Sequence, residues 1–298
     1  MSRVRHAVAQ LVRFAWLEVQ SCVFAIGVFV GLAVAFTVPL PMARYDFLLL
    51  WCLLLTFGFW ALGLETWREV LVIFGFHALG LGLEIFKVQH GSWLYPGDAV
   101  TKVAGVPLFS GFMYAAVGSY ICQAWRRFDL RVSHYRPLPT TLVAVGIYAN
   151  FFTHHYLVDL RLLWTVLGLW VLRRTKVHFS VGTSRYRMPL ALSFLLIGFF
   201  LWLAENAATF LDAWNYPGQV DVWEAVHAAK LGAWALLVSM SFVLVATVKA
   251  QEGRLYHVPG EPHVTGDEPA GGRPVATPAA GRAPAMRSRS GRPPQVTR

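Results

Sequence analysis

Apolar residues in this chain fall in blocks of about 17–25, each long enough to cross a hydrocarbon core as one helix. Only 14% of the 298 residues are charged and 56% are hydrophobic, against roughly 25% charged in a soluble domain. The ten-residue alternating segments of a transmembrane β-barrel are absent. The blocks therefore predict an all-α fold, a polytopic transmembrane helical bundle. Eight spans are expected, at about 19–40, 47–66, 69–88, 108–125, 139–153, 157–172, 189–211 and 223–249.

Lysine and arginine set the orientation, because they concentrate in cytoplasmic connections. Arg126, Arg127, Arg131 and Arg136 follow the fourth span, and Arg173, Arg174, Lys176, Arg185 and Arg187 follow the sixth. The N-terminus carries Arg3, Arg5 and Arg13, and the start of the tail carries Lys249 and Arg254. With both termini cytoplasmic, every strongly basic segment falls inside. The connections 154–156 and 212–222 have no Lys or Arg, and 89–107 has Lys102 alone. An even number of spans satisfies this alternation. Topology thus accounts for the net charge of +10, and no nucleic-acid partner is expected.

Cys22, Cys52 and Cys122 lie inside apolar runs and no Cys-x-x-Cys occurs, so neither a disulfide framework nor a zinc site is expected. The basic lead-in and Ala33-Val34-Ala35 look like a signal peptide. The length of the polar lead-in favours an uncleaved first span.

One pattern occurs twice. Glu84 is followed after eight residues by Trp93-Leu94-Tyr95-Pro96-Gly97, and Glu205 after eight residues by Trp214-Asn215-Tyr216-Pro217-Gly218. The copies begin on the third and seventh spans, which run the same way. They predict two parallel four-helix repeats, 19–125 and 139–250, joined by a basic loop at 126–138. A cytoplasmic segment 1–18 precedes them. A basic cytoplasmic tail, 251–298, follows and is expected to be disordered, since it has too little apolar surface to fold. Parallel repeats occur in transporters and arise equally from plain duplication.

Ionisable groups at membrane depth are costly and usually face a protein interior. Glu84 lies near the outer end of its span, with His77 two turns deeper on the same face and Gly75, Gly80 and Gly82 beside them. It either faces a cavity or pairs with Lys87 at i+3. Glu205 and Lys230 are expected to pair at similar depth, with Asn206 and His227 hydrogen-bonded around them; the pair serves a site or only fixes register. His154 and His155 close the fifth span. If the helix continues to Asp159, His155 and Asp159 share a face, but adjacent histidines are not a ligand spacing with a mechanism behind it. Trp93, Tyr95, Trp214 and Tyr216 form either an aromatic belt or a lid that each Pro-Gly turns back over the pocket. Pro107, Ser110, Gly111 and Tyr114 open the fourth span and read as structural, with Gly111 and Gly118 allowing close packing.

The segments His77-Ala78-Leu79-Gly80 to Glu84, Gly91 to Pro96, Val106 to Tyr114 and Asn150 to His155 resemble the YoaT-like bacterial membrane proteins, a domain of unknown function. The resemblance covers roughly residues 15–250. It implies a bacterial cytoplasmic membrane location and supplies no activity. A looser pattern, a glutamate in a span followed by glycine and tyrosine, is similar to integral-membrane carotenoid hydratases and cyclases, and no catalytic residue carries over from it.

Three readings follow. An enzyme on an isoprenoid or other lipid would use Glu84, Glu205, His77 and Lys230 for catalysis. Trp93, Tyr95, Trp214, Tyr216, Asn206, His227, His154 and His155 would hold the substrate. A small-solute transporter would use the same polar centre. A membrane scaffold would use the basic tail. The expected partners are membrane lipids and a lipophilic or small polar ligand. No cofactor and no metal ligand set is expected.

Overall fold

The computed structural model describes residues 3–219 and 221–256. Helix dominates. The helices are α1 (Arg3–Ser21), α2 (Val23–Thr37), α3 (Arg44–Ala61), α4 (Trp67–Gln89), α5 (Gly111–Arg127), α6 (Pro137–Thr153), α7 (Arg161–Leu172), α8 (Leu190–Phe210) and α9 (Lys230–Gln251). Each of the eight apolar blocks contains one of α2–α9. Four helices, α3, α4, α8 and α9, are long and apolar enough to cross a membrane, and the bent pair α1–α2 makes a fifth if it counts as one span. The expectation of eight spans is therefore established only at this coarser level. Helices α5 and α6 have 17 residues and α7 has 12. Twelve residues rise about 18 Å, short of a core of about 30 Å.

Three boundaries depart from expectation, each for a local reason. Residues 3–21 form a helix of their own rather than a polar lead-in, and the chain bends by 63° between α1 and α2. Ser21 Oγ donates back to the Leu17 carbonyl at 2.8 Å, a bond that competes with the helix ladder and favours bending. Helix α7 starts at Arg161, not 157. The Asn150 side chain accepts from Leu160 N at 3.0 Å and donates to Asp159 at 3.4 Å, which pins 154–160 as a turn. The continuous helix that would align His155 with Asp159 does not form. Helix α9 starts at Lys230, not 223. Val226 N donates to Asn206 Oδ1 at 2.8 Å and Trp202 Nε1 to the Val226 carbonyl at 2.9 Å, so the chain lies along α8 before it turns down.

The fold is also not purely α. Strands β1 (Lys102–Val103) and β2 (Val106–Pro107) form a hairpin. Its two turn residues, Ala104 and Gly105, both have positive φ, as the tightest hairpin turns require. Strands β3 (Arg131–Ser133), β4 (Lys176–Val181) and β5 (Ser184–Pro189) form an antiparallel sheet in the order β3-β4-β5. Both basic connections build this sheet. Helix α1 docks on it, with Phe14 against Phe179 and Gln10 bonded to Ser184. Val132 N bonds the Leu255 carbonyl at 2.8 Å, which adds the start of the tail. The basic segments thus meet at one end, which we call the inner end. The opposite end is the outer end. Beyond residue 256 the tail lies outside the described residues.

Helix α5 is the core of the bundle. All its residues from Ala115 to Trp125 are buried except Tyr120, and it packs against α1, α2, α4 and α9. Its contact with α4 is close because glycine stands where the helices touch. A Cβ on Gly80 would fall 2.5 Å from the Tyr114 ring, and one on Gly111 would fall 2.5 Å from the His77 carbonyl. Gly75 and Gly82 have open space around them and take no part in this contact.

Candidate functional site

Each glutamate of the repeated pattern is buried at the outer end and held by the tyrosine eleven residues after it. Tyr95 OH donates to Glu84 Oε2 at 2.8 Å. Trp93 Nε1 donates to the same oxygen at 2.6 Å, and Tyr114 OH donates to Oε1 at 2.7 Å. In the second copy Tyr216 OH donates to Glu205 Oε1 and Trp234 Nε1 to Oε2 at 2.8 Å. Glu84 is 3% exposed and Glu205 4%. Both carboxyls are satisfied by neutral donors, phenol and indole.

Pro-Gly turns the chain so that these rings point inward. Burial, and then the neighbouring Glu84 carboxylate, holds the Tyr95 hydroxyl well above the usual phenol range. Tyr216 is raised for the same reasons, burial first and Glu205 second. Both phenols therefore remain donors. The rings serve as hydrogen-bond partners rather than as a belt at the headgroups.

The two copies also touch. Leu94 N donates to the Asn215 carbonyl and Asn215 N to the Leu94 carbonyl, both at 3.0 Å. The residue between Trp and Tyr in one copy thus pairs with its equivalent in the other. The Trp93 and Tyr216 rings meet edge to face at 6.0 Å. Lys230 closes the network between them. Its Nζ donates to Tyr216 OH at 3.1 Å and lies over the Tyr216 and Trp93 rings at 4.3 and 5.4 Å.

The structure thus places Glu84, Glu205, Lys230, Trp93, Tyr95 and Tyr216 in one network, and Trp214 is buried beside Tyr216. Several expected details change. Lys230 does not contact Glu205 directly, because the Tyr216 hydroxyl stands between them. Asn206 bonds the backbone of Trp202 and Val226, away from the carboxyl. His227 is exposed and accepts from Ala229 N. His77 stacks near Phe112 at 4.4 Å, and its Nδ1 is buried with no partner among the described residues. It does not reach Glu84.

The alternative pairing of Glu84 with Lys87 does not form either. Lys87 Nζ contacts His155 Nε2 at 2.9 Å and His154 Nε2 at 3.3 Å. Among the described residues no group of three or more His, Cys, Asp or Glu is placed to hold a metal ion.

Two donors escaped the sequence reading, Tyr114 and Trp234. The copies are offset by 121 residues, so Tyr114 corresponds to position 235, next to Trp234. Both sit one turn into the helix after the repeated pattern. An aromatic donor at that place was the available signal. Tyr114 has a second neighbour. Its ring lines an apolar cleft between α4, α5, α6 and α9, together with Phe76, Leu79, Leu83, Tyr148 and Met240.

A second buried polar cluster, also unforeseen, lies at the inner end of the same helix pair. Glu69 is the N3 residue of a capping box with Thr66. Its carboxylate meets Arg126 at 3.2 Å and Lys249 at 3.6 Å. Glu65, in the turn between α3 and α4 and 2% exposed, accepts from Ser119 Oγ at 2.5 Å. As a carboxylate its Oε2 has no donor. Burial, and then the Glu69 charge, pushes Glu65 up to about 7. As an acid it donates to Glu69.

Residues 10–242 match a family described as "Protein of unknown function (DUF817)". The chain is 49% identical over 250 residues to a Bacillus subtilis (strain 168) protein named "Uncharacterized protein YoaT"; the match covers 82% of this chain and 93% of that protein. No solved structure matches the chain.

Proposed function

The chain belongs to the DUF817 family, and we propose from that premise that it is a multi-pass bacterial cytoplasmic membrane enzyme acting on a lipophilic substrate. On this reading α2–α5 and α6–α9 are two parallel halves and both termini are cytoplasmic. Two observations support the topology. The basic segments gather at one end. The turns at the other end interlock, with Arg44 bonded to Asp212 and Leu94 paired with Asn215.

The observation that carries the enzyme reading is the double role of Tyr114. Its ring forms part of the apolar cleft, and its hydroxyl donates to the buried Glu84. A lipid or isoprenoid in the cleft would therefore border a phenol already linked to a carboxyl. Glu84 would accept the Tyr114 proton as the phenol oxygen takes one from the substrate, a positioned proton transfer. Tyr95 and Trp93 would hold Glu84 in place. Glu205, Tyr216, Trp214 and Lys230 would set the charge beside it.

The test is mass spectrometry of lipid retained by protein purified in mild detergent, wild type beside Glu84→Gln and Tyr114→Phe. A discrete molecule held by wild type and changed in chemistry or amount in both variants supports the proposal. Folded variants that retain the same molecule in the same amount sink it.

A transporter is the second reading, and one observation favours it. Buried acids occur at both ends of α4, Glu84 outside and Glu65 with Glu69 inside. Flux of a small solute that fails in Glu65→Gln, with no lipid retained by wild type, would select it.

A further inference from the structure

Lys87 is a buried ammonium without a counter-charge. It is 7% exposed, and no carboxylate lies within ion-pair distance among the described residues. Its hydrogen-bond partners are two imidazoles. His154 Nδ1 lies 2.8 Å from the Asn150 carbonyl, so the ring proton belongs there and Nε2 is left to accept from Lys87. Imidazole lone pairs satisfy the ammonium's hydrogen bonds but not its charge, and a buried uncompensated charge is costly. The acid that acts on it from further away, Asp159, is already bound by Arg161 at 2.6 Å. Lys230 and Arg161 add positive field at the same place. His90 stacks on His155 at 4.9 Å, and its Nε2 lies 2.6 Å from Tyr156 OH. One ammonium and three imidazoles thus converge from α4 and from the turn after α6.

This cluster continues the apolar cleft. On α4, Phe76, Gly80 and Leu83 line the cleft and Lys87 is the next residue on that stripe, one turn farther out. On α6, Tyr148 lines the cleft, Phe152 packs against Tyr148 and Phe86, and His154 and His155 follow. An apolar slot that runs inward from a basic outer end matches one kind of molecule, an anionic amphiphile with its head at the membrane surface.

We propose that Lys87, His154 and His155 bind the phosphate headgroup of a lipid whose chain lies in the cleft between α4, α6 and α9. Phosphate fits better than carboxylate because several nitrogens approach from different elements, and a phosphate ester offers several oxygens to meet them. The proposal rests on the lipophilic-substrate reading and adds to it the chemistry of the head.

The test uses the full chain in mild detergent. Retained lipid is identified by mass spectrometry for wild type, Lys87→Gln, Lys87→Arg and Leu79→Trp, the last of which fills the slot. Phosphatidic acid and inorganic phosphate are then added separately as competitors. The expected result is a phosphorylated lipid on wild type, reduced about tenfold or more in Lys87→Gln, the loss of roughly one charge-assisted contact. It is kept by Lys87→Arg, lost in Leu79→Trp and displaced by phosphatidic acid. Should Lys87→Gln not fold, the double variant His154→Gln/His155→Gln, in the exposed turn, is expected to show the same loss.

A neutral lipid or fatty acid that is lost in Leu79→Trp but indifferent to Lys87→Gln overturns the headgroup site and leaves the lipophilic reading standing. Lys87-dependent binding of inorganic phosphate with no retained lipid overturns the lipid and leaves a free-phosphate site. Neither lipid nor phosphate overturns both proposals.

Discussion

The two ends of α4 bury acids in opposite ways. At the outer end, Glu84 is surrounded by neutral donors, two phenols and an indole, and no cation touches it. At the inner end, Glu69 is met by a guanidinium, an ammonium and the backbone N–H of its own capping box. Neutral donors satisfy a carboxylate's lone pairs and leave its charge in place, whereas cations remove the charge as well. The outer carboxyl therefore keeps a charge to act on whatever enters the cleft. The inner one is bound up in holding α4, α5 and α9 together. Glu65 sits between the two cases, since its neighbour Glu69 has claimed the cations and left it to keep a proton.

The comparison breaks first at Glu84. Glu84→Ala leaves three buried donors without an acceptor, each costing about 1–3 kcal/mol. Thermal unfolding in detergent is expected to show a loss of about 3–6 kcal/mol. Glu205→Ala should cost less, because it strands only Trp234 and Tyr216, and Tyr216 keeps Lys230. Equal losses would mean that the donor cage does not set the stability of this end.

Next comes Glu69→Ala. It uncovers Arg126 and Lys249 and should cost about 3–5 kcal/mol, as for a buried ion pair broken on one side. Adding Lys249→Met should recover part of that loss; no recovery would argue against ion pairing as the inner principle.

The smallest effect sharpens the middle case. Glu65 is raised in the folded state, so between about pH 4.5 and 7 the unfolded chain has lost a proton that the folded chain still holds. This group's contribution to stability is therefore undiminished below pH 4.5 and falls as pH rises to 7, by at most roughly 1.4 kcal/mol per pH unit. Glu65→Gln should flatten that slope. An unchanged slope would show that Glu65 is ionised in the folded protein.

Much of the fold was legible because apolar length and Lys/Arg placement are properties of single segments. Every apolar block contains a helix, and the basic connections do share one end. What stayed hidden depends on partners distant in sequence. Lys87 lies three residues from Glu84 and could pair with it, yet it turns to His154 and His155, 67 and 68 residues away. The choice follows from how α4 rotates against α5, which Gly80 and Gly111 set. The inner cluster was missed because Glu65 and Glu69 fall at expected span boundaries, where acids usually meet water. Helix ends were misplaced at 157 and 223 for a similar reason. The Asn150 and Asn206 side chains capture later backbone there, and hydropathy carries no trace of that. The repeated pattern was the exception, since equal spacing survives in sequence whatever the contacts are.

The reciprocal pairing of Leu94 with Asn215 has a mechanical consequence. It joins the arm beyond α4 to the arm beyond α8 by two antiparallel backbone bonds. Side-chain substitution cannot remove those bonds, so the tie does not depend on which residues stand there. A pull on the tip of one arm is transmitted to the other as tension along the chain and reaches Glu84 and Glu205 together through Tyr95 and Tyr216. The two carboxyls, 121 residues apart in sequence, behave as the ends of one yoke.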